Sequence, residues 1–210
     1  MQRSSCAIDR FIECQIALQF TTDMSASNLN HTASATSPLL RKIGGYAGTG
    51  AEISAFDPDT QRLFVVSGGA EIEVLDLSDP ANPNLLQVLD LSPYGAAANS
   101  VAIKNGLVAV AVESDPKTDP GRAVFLDTDG NFLAALVAGA LPDMITFSPD
   151  GTKVLVANEG ELNDDYTIDP EGSVTIIDLA NGIENVVVKR VDFLAFNDQK
   201  ADLQSKGVRI

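Results

Sequence analysis

The chain has 210 residues, 45% of them apolar, which suffices for one domain with a sizeable core or two small ones and excludes disorder throughout. Fourteen Lys and Arg stand against 29 Asp and Glu, and the net charge of −15 repels phosphate backbones and anionic headgroups, so nucleic acid is excluded as a partner. One histidine, His31, and two cysteines, Cys6 and Cys14, cannot make a two-His or four-Cys zinc site within the chain.

Residues 1–50 carry three acids and four bases, whereas the remainder carries 26 acids and 10 bases. The Ser-, Thr- and Asn-rich stretch at 21–38 shows no apolar period, so residues 1–38 read as a disordered linker or a poorly formed signal, and the fold is expected over 39–210. Small-residue sites at Ser25-Ala26-Ser27 and Ala33-Ser34-Ala35 follow a partly apolar run, but Glu13 and Gln15 interrupt it, so the secretory signal is unconvincing. It is also too short and polar for a membrane span, and no direct membrane insertion is expected. The Gly-rich segment 44–50 lacks the spacing of a phosphate loop and reads as a flexible lead-in to the first strand.

Short Val- and Ile-rich runs separated by turn residues then predict strands in chain order. The first round is Ala51–Phe56, the turn Asp57-Pro58-Asp59-Thr60, Arg62–Ser67, Glu71–Leu77 and Leu85–Leu91. The second is Ser100–Ile103, the turn Asn105-Gly106, Leu107–Glu113, Ala123–Asp127 and Phe132–Ala138. The third is Met144–Phe147, the turn Ser148-Pro149-Asp150-Gly151, Lys153–Ala157, Ser173–Leu179 and Asn185–Val191. Beyond it, Asn197 is placed to cap a short helix over Asp198–Lys206 that Gly207 stops, and Val208-Arg209-Ile210 reads as the opening of another strand.

Two landmarks set the period. Phe56, Ile103 and Phe147 close the first strands at spacings of 47 and 44 residues, and Asp76, Asp127 and Asp178 end the third strands at spacings of 51. Four antiparallel strands recurring every 40 to 50 residues predict an all-β fold, a β-propeller of four-stranded blades of the YVTN/WD40-like kind. A β-sandwich does not predict such a repeat. The blades are expected at about 51–92, 97–139 and 140–193. Propellers close with roughly four to eight blades, so three blades are expected to be part of a longer propeller with open edges.

The segments IEVLDLSDP at 72–80, NSVAIKNGLVAVAV at 99–112, GALPDMITF at 139–147, SPDGTKVLVANEG at 148–160 and NDDYTIDPEGSVTIID at 163–178 resemble the choice-of-anchor I family. That family includes the mesenchyme-specific cell-surface glycoprotein group and bacterial relatives labelled alkaline phosphatase. The resemblance runs from about residue 39 to the end. It implies an extracellular or cell-surface protein with a seven-bladed propeller, whose later blades are missing from this chain.

One loop is densely acidic: Glu159, Glu161, Asp164, Asp165, Asp169 and Glu171, with Asn158 and Asn163 among them. Hard oxygen donors in one loop suit Ca²⁺, with Asp164, Asp165 and Asp169 as leading ligands, although the spacing is not that of an EF-hand and a solvated acidic loop is the alternative. Glu113 and Glu159 occupy matching corners of successive blades and are expected either at a shared rim or as solubilising edge charges. His31 lies in the expected linker and no G-x-S-x-G elbow occurs, so nucleophilic catalysis has thin support. Two functions follow: a non-catalytic extracellular module binding a protein or surface glycan, with Ca²⁺ stiffening a loop, or part of a metal-dependent phosphoesterase, as the alkaline phosphatase label implies.

Overall fold

The computed structural model describes residues 41–209. They form three four-stranded antiparallel sheets, each built from four strands consecutive in sequence. The first holds β1 (Ser54–Asp57), β2 (Arg62–Val66), β3 (Glu71–Asp76) and β4 (Asn84–Asp90). The second holds β5 (Ala97–Lys104), β6 (Leu107–Glu113), β7 (Pro120–Asp127) and β8 (Phe132–Ala140). The third holds β9 (Pro142–Phe147), β10 (Lys153–Asn158), β11 (Ser173–Asp178) and β12 (Val187–Asp192).

The sheets are propeller blades, set side by side in an arc that does not close. β5 packs on β1 of the preceding blade and β9 on β5. The cores lie between blades, because each middle strand alternates and directs every second residue to one neighbour. Phe64, Val66, Ile72 and Val74 of blade 1 meet Val108, Val110, Val112 and Val124 of blade 2. Ala109, Ala111 and Phe125, from the opposite face of blade 2, meet Val154, Val156 and Ile177 of blade 3. A β-branched residue fits this pleated, two-sided burial, which explains the Val-rich composition of the middle strands.

Turn chemistry fixes the register. Asp57 Oδ2 accepts from the Thr60 amide at 3.1 Å. Asn105 and Gly106, at φ 52 and 75, form the left-handed pair that a two-residue hairpin requires. Ser148 Oγ donates to Asp150 Oδ1 at 2.6 Å, and the Thr152 amide and hydroxyl donate to the same oxygen at 3.0 and 2.9 Å. These bonds pull the Asp150 carboxyl down to about 2, the Ser148 hydroxyl contributing most.

The repeated aspartates act alike. Oδ1 of Asp76, Asp127 and Asp178 accepts the amide two residues on, from Ser78 at 2.8 Å, Asp129 at 2.9 Å and Ala180 at 3.0 Å. Each therefore starts the turn into the fourth strand as an Asx turn.

Some boundaries differ from those expected. The first strand starts at Ser54 rather than Ala51; Glu52 and Ile53 bond to Val66 outside the regular ladder. The first strand of blade 2 starts at Ala97 rather than Ser100, because a bulge between Ala98 and Ser100 extends pairing into a stretch of small residues without a strand-like pattern. Asn197 does not cap a helix: it lies inside the 3-10 turn Leu194–Gln199, and α1 (Lys200–Ser205) begins at Gln199 with no side-chain cap. Gly207 does end that helix with φ 87, but Val208 and Arg209 do not form a strand. The expected linker at 1–38 and Ile210 lie outside the described residues, and no helix among the described residues is long and apolar enough to cross a membrane.

Candidate functional site: an acidic loop face

One face of the arc carries the loops that join second to third strands and the crossings between blades. The crossing from β8 to β9 is a single residue, Leu141, held at φ 49 and buried. A bulky side chain at positive φ is uncommon and persists only where surrounding structure enforces it. Two backbone bonds do so here: the Glu159 amide donates to Leu141 O at 2.9 Å and the Gly160 amide to Ala140 O at 3.2 Å. The root of the 159–172 loop is thereby tied to the crossing. Gly160, at φ 66, lies so close to the returning strand that a Cβ would sit 2.6 Å from Pro170 O and from Glu171 C. The neck of the loop is closed backbone to backbone.

Beneath the loop lies a buried polar network. Asn158, at the end of β10, donates through Nδ2 to Ser173 O and Oγ, both at 3.2 Å, and to Thr175 Oγ1 at 3.0 Å. Its Oδ1 accepts from the Gly139 amide of blade 2 at 2.9 Å. One amide side chain thus satisfies two residues on the neighbouring strand of its own blade, β11, and bonds across the blade boundary. Asn99, in the bulge of β5, bridges the same boundary through Nδ2, which is 3.0 Å from both Glu113 Oε2 and Pro142 O.

Above the network the acids gather around one cation. Lys117, from the β6–β7 loop, donates to Glu161 Oε2 at 2.7 Å. That bond raises its pKa above the ordinary lysine value against partial burial, and the charges of Glu161, Asp164 and Glu113 act in the same direction. Glu159 is exposed, yet partial desolvation, with repulsion from Asp143 and Glu161, raises its carboxyl above the usual range; Lys117 offsets part of the rise. Glu113 and Glu159 thus each interact with Lys117.

The remaining loop acids are placed differently. Glu171 pairs with Arg190 at 3.3 Å. Asp165 Oδ1 accepts from Thr167 Oγ1 at 2.7 Å. The tip is organised by Asn163, whose Oδ1 accepts from the amides of Thr167 and Ile168, both at 2.9 Å. Asp164 and Asp169 are exposed. Among the described residues, no three His, Cys, Asp or Glu side chains are gathered as a metal site requires. Chemically, the face is a charged rim carrying one paired lysine, able to receive cationic groups.

Residues 52–210 match the model of the choice-of-anchor I domain. The chain belongs to the choice-of-anchor I family. No curated protein matches it. Among solved structures, hydrazine synthase of Kuenenia stuttgartiensis is similar at 21% identity and a TM-score of 0.49, over 68% of this chain and 37% of that one. A eukaryotic initiation factor follows at 14% and 0.47, over 70% and 33%, and a luciferin-regenerating enzyme at 17% and 0.44, over 69% and 45%. The matched part of this choice-of-anchor I domain spans under half the length of each.

Sequence reasoning located the acidic loop and the pair Glu113 and Glu159 but missed Lys117, Asp143 and Asn99, and it named Asn158 only as part of the loop, not as the buried bridge between blades. A lone lysine and a lone asparagine carry no signal in one dimension. The hint available was the Asn158 position itself, a polar residue continuing the inward alternation of Val154 and Val156.

Proposed function

We propose that this choice-of-anchor I domain is a non-catalytic interaction module of the extracellular space or cell surface, and that its acidic loop face docks a basic patch of a partner protein. The observation that carries the reading is the gathering of Glu113, Glu159, Glu161 and Asp164 about a single Lys117, with Asp143 beside Glu159. Complementary charge of this kind steers encounter and fixes orientation more than it adds affinity. Family membership supports the surface location, since choice-of-anchor domains are typically anchored there. Calcium enters as a proposed stabiliser of the 159–171 loop, supported by its six acids; binding requires Asp164 and Asp169 to swing toward Asp165, because the loop acids are not gathered as they stand.

The test is binding of purified protein to intact source cells, compared with a variant carrying Glu113→Gln, Glu159→Gln and Asp164→Asn. Saturable binding that weakens with salt and is lost in the variant is expected. Equal binding by both proteins overturns the proposal. Metal-dependent turnover of p-nitrophenyl phosphate by the purified chain overturns it in favour of a phosphoesterase.

A further inference from the structure

Blade 1 has an outer face that looks away from blade 2. Alternation places Leu63 and Val65 of β2 there, with Leu75 of β3 and Leu77 beyond it. The same alternation puts Glu73 on that face, directly opposite Val65 in the register. Glu73 is therefore an acid at a position that the strand pattern reserves for an apolar side chain, and it is 5% exposed.

The Gly-rich segment before β1 covers this face. A Cβ on Gly44 would collide with the backbone of Pro80 and Ala81, and a Cβ on Gly48 would sit 2.5 Å from Glu73 Oε2. Glycine is required at position 44 so that the segment can lie against the blade, whereas at position 48 the Glu73 carboxylate would have to move aside for a side chain. The cover is incomplete. Between segment and blade lies a cavity of about 350 Å³, floored by Leu63, Val65 and Leu75, with Glu73 in its wall and Arg41 and Lys42 at its margin. That volume falls within the range of small-molecule sites, which pair an apolar lining with a few placed polar groups.

Among the described residues the Glu73 carboxylate has one hydrogen-bond partner, Thr49 Oγ1, at 3.3 Å from Oε1. A carboxylate accepts about four hydrogen bonds, and a buried one is costly unless paired. Neither Arg41 nor Lys42 forms an ion pair with it.

We propose that this cavity is a binding site for a small organic ammonium ion, with the ammonium group on Glu73 and the apolar body on Leu63, Val65 and Leu75. The ammonium supplies the charge and the donors that Glu73 lacks, and the hydrocarbon completes the apolar face. Arg41 and Lys42 at the margin select against a second cationic group. The site lies on blade 1, away from the acidic loop face between blades 2 and 3, and does not depend on the function proposed for that face.

The experiment is titration of the full chain with hexylammonium, 1-hexanol and hexanoate, followed by amide chemical shifts. Hexylammonium is expected to bind with shifts centred on Gly48, Thr49, Glu73 and Leu75, and hexanol and hexanoate at least about tenfold more weakly, the usual worth of a hydrogen bond to a charged group. Glu73→Gln is expected to reduce hexylammonium binding by a similar factor. Absence of hexylammonium binding, equal binding of hexanol or hexanoate, or shifts centred on Glu113, Lys117 and Glu159 overturns the proposal. Should Glu73→Gln fail to fold, the three-probe comparison on the unaltered chain decides alone.

Discussion

Asn158 offers the sharpest test of how the blades are held together. It is 4% exposed, and its neighbours Gly139, Ser173 and Thr175 are buried with it. Asn158→Ala removes four hydrogen bonds and strands the Gly139 amide, which has no hydroxyl rotor with which to seek another partner. An orphaned buried group costs about 1–3 kcal/mol. Ser173 and Thr175 can recover part of their loss by turning their hydroxyls, so the total is about 3–5 kcal/mol, a large fraction of the 5–15 kcal/mol typical of a folded domain. At about 2–4 °C per kcal/mol for a domain of this size, the melting temperature should fall by roughly 6–20 °C. Asn158→Asp separates hydrogen bonding from shape. The introduced carboxylate still accepts from Gly139, but its other oxygen faces the Ser173 carbonyl, lone pair against lone pair. Its folded pKa must therefore lie above its unfolded value, so the destabilisation is full above the folded pKa and disappears below the unfolded value near 4. Urea unfolding at pH 7 and at pH 4 measures both variants. A loss under about 1 kcal/mol for Asn158→Ala with unchanged m, or a pH-independent deficit for Asn158→Asp, refutes the reasoning.

Further expectations concern charge. The Asp76, Asp178 and Asp150 carboxyls are held below their ordinary value, Asp76 chiefly by the Ser78 amide, Asp178 by Lys153 and Asp150 by Ser148. Their contribution to stability is present above about pH 4 and is lost as pH falls toward 2, and a pH series of thermal melts should show this decline. Glu159 has the opposite sign, so Glu159→Gln should raise the melting temperature at pH 7, an advantage that vanishes below about pH 4. Lys117→Met should lower it and raise the Glu159 pKa further, readable by carboxyl NMR titration. Calcium at a hundred times its Kd should add about 2.7 kcal/mol if the 159–171 loop binds it; the melt against chelator should show the rise, and Asp164→Asn with Asp165→Asn should abolish it.

The twelve strands were legible because their signals are local. Val and Ile in alternation, Asn105-Gly106 and the thrice-repeated aspartate each act within a few residues, and the structure places them where such chemistry puts them. What escaped is set by neighbours distant in sequence. Asn158 is intelligible only once Gly139 of the previous blade is beside it, and Glu73 only once Thr49 is folded over it. The strand at Ala97–Ala98 was hidden because its pairing rests on β6 rather than on its own residues. Asn197 shows the converse failure, a residue with the right propensity for a cap in a place where the 3-10 turn runs straight on into the helix. The acidic loop was visible as composition, but the same composition serves Lys117, Arg190 and Asn163, and only position tells those uses apart.

The cover that residues 41–51 place over blade 1 bears on how the chain is made. Synthesis proceeds from the N-terminus, and sheets that wait for a later partner hold apolar surface exposed in the meantime. By the time β3 is complete, the strip that shields its outer leucines has already been produced, so the first blade can shelter that side without any later sequence. Blade 3 has no such provision: Met144 and Val191, at the two ends of the cross-strand row that runs through Ala157 and Val174, remain half exposed. During synthesis the outer side of blade 1 is therefore sheltered as soon as it forms, whereas the outer side of blade 3 stays open until a later partner covers it, and chaperone contact should fall on blade 3 in that interval.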